Sequence, residues 1–68
     1  MLVHKRIKEL RNEFALSQLQ LANNLSLSQS AIAKWEIEKT EPSASAIIKM
    51  CKFFDVSADY LLGLKDEY

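Results

Sequence analysis

Apolar residues recur along this chain at helical spacing. Val3, Ile7, Leu10 and Phe14 fall three or four positions apart, which stacks them on one face of a helix. Lys5, Arg6, Lys8, Glu9 and Glu13 fill the opposite face. Ile47, Met50, Cys51 and Phe54 repeat the pattern later in the chain. A second pattern marks where helices begin: an apolar residue, a serine, three residues, then another apolar residue. It occurs at Leu16-Ser17 with Leu21, at Leu27-Ser28 with Ile32 and at Val56-Ser57 with Leu61. In each case the serine hydroxyl can accept an orphan N–H of the first turn, and the apolar pair clamps the angle of entry. Gln20 supplies the polar half of a capping box with Ser17. Pro42-Ser43 with Ile47 is a fourth start, with proline as the weaker outer partner. These signals predict five helices, at roughly 3–14, 18–25, 29–36, 44–54 and 58–63. No segment alternates with period two for long enough to form a strand. The expected fold class is all-α.

Composition narrows the reading. Sixty-eight residues make one domain over 1–68, with 49% apolar residues, ample for one helical core. The core is expected at about 6–63, with 64–68 as a frayed tail or the start of a linker. A chain of this length buries only about 60% of its unfolded surface, so modest stability is expected. No run approaches the roughly 20 apolar residues of a membrane span. Residues 1–15 are charged throughout and lack the apolar centre of a secretory signal. Cys51 is the single cysteine and has no internal disulfide partner. Together these features point to a reducing cytoplasm, with no membrane partner. Cys51 on an apolar face is expected to act as a small hydrophobe. His4 stands alone, without the partners a metal or catalytic role needs, so no metal and no cofactor are expected.

Formal net charge is zero, which argues against a generic nucleic-acid coat. The charges are not evenly spread. Lys5, Arg6, Lys8, Arg11, Lys34 and Lys39 outnumber the acids of residues 1–40, whereas Glu41, Asp55, Asp59, Asp66 and Glu67 outnumber the lysines of residues 41–68. A protein of this kind would make few phosphate contacts, with weak non-specific affinity and strong salt sensitivity.

The stretch 17–36 carries the most information. On a wheel at roughly 100° per residue, Gln29, Ser30, Ala33 and Lys34 share one side of the third helix; Ile32 and Trp35 lie opposite, with Ala31 beside them. The outward side offers an amide, a hydroxyl, a methyl and an ammonium. These are groups that read base edges in a major groove: Gln pairs with adenine, Lys with guanine, Ser with several bases, and Ala touches the thymine methyl. The same wheel also describes the solvated face of any amphipathic helix. Spacing adds to it. Only Ser26 and Leu27 separate the end of the second helix from the cap at Ser28, and so short a turn between two clamped helices forces a steep crossing, as in a helix-turn-helix.

The ordered set Leu16-Ser17-Gln18, Leu21-Ala22, Leu25-Ser26-Leu27-Ser28, Ile32, Lys34-Trp35-Glu36, Lys39, Pro42-Ser43 and Val56-Ser57-Ala58-Asp59-Tyr60-Leu61-Leu62-Gly63 resembles the Cro/cI-type (XRE-like) helix-turn-helix regulators of phages and bacteria. The resemblance runs from about Arg6 to Gly63, nearly the whole chain, and rests on the set rather than on any one motif. It implies a compact five-helix domain of the lambda-repressor-like DNA-binding type, with helices 2 and 3 forming the helix-turn-helix. It implies that helix 3 lies in the major groove, with Gln29, Ser30 and Lys34 reading bases beside Ala33. It further implies phosphate contacts from Gln18, at a helix N-terminus that favours an anion, and from Ser17, Ser28, Lys39 and Thr40. Arg11 corresponds to the family's internal ion-pair partner of Glu36.

Three positions depart from the family pattern. Ser26 stands where glycine is common and has to accept a left-handed backbone. Ile37-Glu38 replaces a common Asn-Gly, and Glu38 and Glu41 would repel the phosphates that this loop normally approaches. Leu19 stands where a polar residue is usual and is expected as an exposed apolar contact.

The leading expectation is a sequence-specific regulator of double-stranded DNA, a repressor acting as a homodimer on a palindromic operator. Tyr60, Leu61 and Leu64 are the expected dimer contacts, because Leu61, Leu62 and Leu64 exceed what a short last helix needs to bury. The alternative is a protein-interaction module of the same fold, such as an antitoxin or a regulator's partner. Chemistry is not expected: there is no metal-spaced cluster, no glycine-rich phosphate loop and no nucleophile–base pair, and no small-molecule substrate is evident.

Overall fold

The computed structural model describes all 68 residues. Five helices follow one another with no strand: α1 Leu2–Glu13, α2 Gln18–Leu25, α3 Gln29–Glu36, α4 Ala44–Phe54 and α5 Ala58–Leu62. The expected boundaries hold to within a residue.

The helix starts show why. Ser17, Ser28, Ser43 and Ser57 all stand as N-caps in extended backbone, and each hydroxyl accepts an N–H three residues on, at 3.0–3.2 Å. The capping box is complete, with the Ser17 N–H donating to Gln20 Oε1 at 2.8 Å. Only α1 begins without a side-chain cap.

The helix ends share a device that the sequence did not advertise. Each helix stops at a residue with left-handed backbone: Ala15, Ser26, Glu38, Asp55 and Gly63. The following N–H then turns back to a carbonyl five residues earlier. Leu16 donates to Arg11, Leu27 to Ala22, Lys39 to Lys34, Val56 to Cys51 and Leu64 to Asp59, at 2.7–3.1 Å. This satisfies carbonyls that would otherwise be orphaned at the helix end. Four of the five positions are not glycine, and each pays a steric cost of about 1 kcal/mol for its Cβ.

The five helices enclose one cluster: Val3, Ile7 and Leu10 of α1, Leu21, Ala22 and Leu25 of α2, Ile32 and Trp35 of α3, Ala46, Ile47, Met50 and Phe54 of α4, then Val56, Tyr60 and Leu61. Phe14, expected in the core, ends α1 and stays 45% exposed, stacked edge-on against Phe54 at 5.0 Å. Cys51 is half-buried beside the cluster, and burial pushes its thiol pKa up.

Arg6 departs from the expected charged outer face. It is buried, because its guanidinium has carbonyls to satisfy. It donates to the Tyr60 carbonyl and, at 2.6 Å, to that of Lys65, lies 4.1 Å over the Tyr60 ring, and reaches the exposed Asp66 carboxylate at 3.1 Å. His4 is buried as well, with Nδ1 2.7 Å from the Trp35 carbonyl. A carbonyl can only accept, so Nδ1 is the donor.

Residues 64–68 do not fray. The Ser57 N–H donates to the Tyr68 backbone oxygen at 2.6 Å, the Tyr68 ring packs edge-on against Tyr60 at 4.7 Å, and the Tyr68 hydroxyl donates to the Glu13 carboxylate at 2.8 Å. That last bond pushes the phenol pKa up to about 12.

The shared helix-end geometry predicts opposite outcomes at two positions. Ala15→Gly should raise stability by about 0.5–1 kcal/mol, because glycine relieves the left-handed strain. Gly63→Ala should lower it by more than about 1 kcal/mol, since φ is +89° and an added Cβ would lie 2.8 Å from Leu2 Cβ. Urea midpoints of the two variants against the parent chain would measure both.

Candidate nucleic-acid interface

The α2–α3 unit is built from two capped helices with a three-residue join. α2 ends at Leu25, Ser26 turns with φ +57° and ψ +41°, Leu27 is half-buried against the core, and Ser28 caps α3. The left-handed conformation expected at Ser26 is therefore present. It redirects the chain sharply enough for Ile32 and Trp35 to enter the cluster that holds Leu21, Ala22 and Leu25.

Burying Ile32 and Trp35 sets the rotation of α3. Gln29, Ser30 and Lys34 are exposed together on the outward side, and Ala33 is half-buried between them. Lys34 makes no ion pair, and neither does Lys39. Ser17, Ser28 and Thr40 are exposed nearby in sequence. The hydroxyl oxygens of Ser17 and Ser28 are occupied as caps, which leaves their O–H free to donate. Leu19 is exposed, as expected.

Behind this face lies a polar junction of three helices. Arg11 of α1 grips Glu36 of α3 with two bonds, Nε to Oε2 at 2.6 Å and a terminal nitrogen to Oε1 at 2.9 Å. The same guanidinium donates to the Leu16 carbonyl at 2.8 Å. Gln18 of α2 completes the set, with Nε2 donating to Glu36 Oε1 at 3.1 Å. Burial by itself would raise the Glu36 pKa. The hydrogen bonds from Arg11 and Gln18, with the charges of Arg11 and Lys8, overcome it and hold the carboxyl below its ordinary value. Sequence reading gave Gln18 only an outward role. Its position on the first turn of α2, facing a carboxylate of α3, becomes visible only once the two helices are packed.

The loop after α3 carries Ile37, Glu38, Lys39 and Thr40. Glu38 takes the left-handed place that glycine fills at similar turns, and its carboxylate meets the N-terminal ammonium at 3.7 Å. Of the residues expected to pair two copies, Leu61 is fully buried and Tyr60 nearly so, both within this chain's own core. Their side chains are spent on α1 and α4, and they cannot face a partner. Leu64 is exposed, as is Leu62.

Residues 7–61 match the helix-turn-helix family model, more than three quarters of the chain. The chain belongs to the helix-turn-helix family. Among its relatives in this family are the uncharacterized HTH-type transcriptional regulator YobD of Bacillus subtilis (strain 168), 32% identical over 93% of this chain and 56% of that protein. The Repressor protein C2 of Salmonella phage P22 is 33% identical over 90% of this chain and 28% of that protein. The crystal structure of the P22 c2 repressor in complex with synthetic operator 9T superposes with a TM-score of 0.82 at 31% identity, covering 90% of this chain and 92% of that one. The SinR/SinI complex gives 0.81 at 30% identity, over 88% and 59%. The chain spans about half the length of YobD and less than a third of C2. The cI-type likeness and the lambda-repressor-like fold class are thereby established. No helix is long and apolar enough to cross a membrane.

Glu36→Ala should cost about 3 kcal/mol, because it strands the largely buried Arg11 guanidinium. The pH dependence follows from the lowered Glu36 pKa. The junction's contribution is fully present above the unfolded carboxylate value of about 4.3 and is lost as pH falls through the lower folded value. Chemical denaturation of the parent chain between about pH 7 and 3 should show that loss, and Glu36→Gln should flatten this part of the profile.

Proposed function

We propose that this helix-turn-helix protein is a sequence-specific DNA-binding regulator of the repressor type, with α3 in the major groove. The single observation that carries the reading is the outward side of α3. Gln29, Ser30 and Lys34 stand exposed together, with an unpaired ammonium, on a helix whose other side is locked into the core. The superposition with a repressor known in complex with operator supports it. Gln29, Ser30, Ala33 and Lys34 read base edges. Ser17, Ser28, Lys39 and Thr40 hold phosphates, and Gln18, oriented by Glu36, presents its remaining N–H groups to a phosphate at the N-terminus of α2.

Two copies bind a palindrome, each placing α3 in successive major grooves on one side of the duplex. The dimer forms through Leu64 and Leu62, with Leu2 beside Gly63 as the adjoining apolar surface. Repression is by occupancy, with no cofactor and no chemistry, in the cytoplasm.

Selection of a randomised duplex pool at about 50 mM salt should enrich a palindrome with half-sites about 10 bp apart, centre to centre. On that duplex Lys34→Ala should lose roughly tenfold or more and relax preference at one base pair. Lys39→Ala should weaken all sequences alike and reduce the salt slope by about one. Enrichment of no sequence would move the weight to a protein partner on the same α3 face, the reading that zero net charge and the acidic loop favour.

A further inference from the structure

Ile37 is 71% exposed. Its backbone still follows α3. With φ −98° and ψ 11°, its N–H donates to the Ala33 carbonyl at 3.3 Å, so the helical register continues through it. Continued at 100° per residue from Gln29, Ala33 lies at about 40°, Ile37 at about 80°, Ser30 at about 100° and Lys34 at about 140°. Ile37 therefore falls in the middle of the outward arc, not at its edge. It sits about 12 Å along the axis from Gln29, a distance of three to four base pairs along a duplex. A β-branched apolar side chain offers nothing to a phosphate, and Glu38 beside it opposes one. The partner that suits Ile37 in a major groove is the C5-methyl of thymine, the one apolar group displayed on the base edges.

We infer that Ile37 is a specificity-determining residue, packing against a thymine methyl in each half-site, beyond the base pair faced by Lys34. It holds only if α3 enters the groove, the reading proposed above. The apolar contact compensates for the phosphate contacts that this acidic loop gives up.

The test uses the selected operator, with each thymine replaced in turn by uracil. That change deletes the methyl and leaves the pairing edge intact. For the parent chain one thymine in each half-site should cost about fourfold in affinity on replacement, the worth of burying one methyl-sized group. For Ile37→Ala the same replacement should cost nothing, while Ile37→Val keeps the discrimination. Because Ile37 is exposed, Ile37→Ala should keep the parent thermal midpoint. Equal uracil effects in parent and Ile37→Ala would overturn the inference. So would an Ile37→Ala variant whose thymine dependence is intact but whose dimer dissociates more readily, which would place Ile37 against a second copy. Normal binding without thymine discrimination defeats this inference alone; absence of binding to every duplex removes the DNA-binding reading with it.

Discussion

Glu36 receives hydrogen bonds from two other helices while belonging to a third. Arg11 approaches from α1 with a two-pronged grip and Gln18 from the first turn of α2. A nearly buried carboxylate is costly unless its oxygens are fully engaged. Here both are, and no buried side-chain nitrogen or oxygen in the chain lacks a partner. The apolar cluster can tolerate small rotations of a helix, since dispersion and burial have little directional preference. A bidentate guanidinium–carboxylate pair cannot, because its two bonds fix an angle as well as a distance. Burial of Ile32 and Trp35 chooses which side of α3 faces outward, and this junction fixes the angle within that choice.

A second constraint is economy of length. Five helices in 68 residues leave three to seven residues for each connection, and every connection is a serine-capped start preceded by a left-handed stop. Using Ala15, Ser26, Glu38 and Asp55 where glycine would be strain-free costs stability at four places. What holds them there is collective: the carbonyls at each helix end gain N–H partners, and the turned chain lets the next apolar pair reach the core. The tail contributes in the same manner. Arg6 draws the Lys65 carbonyl inward, and Tyr68 spans from the start of α5 to the end of α1.

Around the interface these two constraints meet. The junction fixes α3 in rotation, and the left-handed turns at Ser26 and Glu38 fix where its axis begins and ends. Function then needs only the outward arc. Lys34 and Lys39 are unpaired, whereas Glu38 is drawn to the N-terminal ammonium. The charge facing outward is thus more positive than the zero net charge of the chain implies.

How much of this was legible beforehand follows from the range of each interaction. A serine cap closes over three residues, so Ser17, Ser28, Ser43 and Ser57 announced the helix starts without any tertiary information. Helical periodicity is equally local, and it separated Gln29, Ser30 and Lys34 from Ile32 and Trp35. The left-handed backbone beyond Ser26 is not announced, because the usual marker, glycine, is present at only one of the five helix ends. Ile37 has the same look of a loop residue, since nothing in the residue itself says that the helical register runs one position further. Arg6, Gln18 and Tyr68 give no such local signal, because their partners lie 18 to 60 residues away, and the burial of Tyr60 and Leu61 depends on packing α5 against α1 and α4. Where helices begin and which side of each is apolar are settled locally along the chain, because those are contacts between near neighbours. Which charges are buried, how α3 is angled and which apolar residues remain outside are settled by packing, because each of those depends on which distant groups arrive within hydrogen-bonding or van der Waals reach.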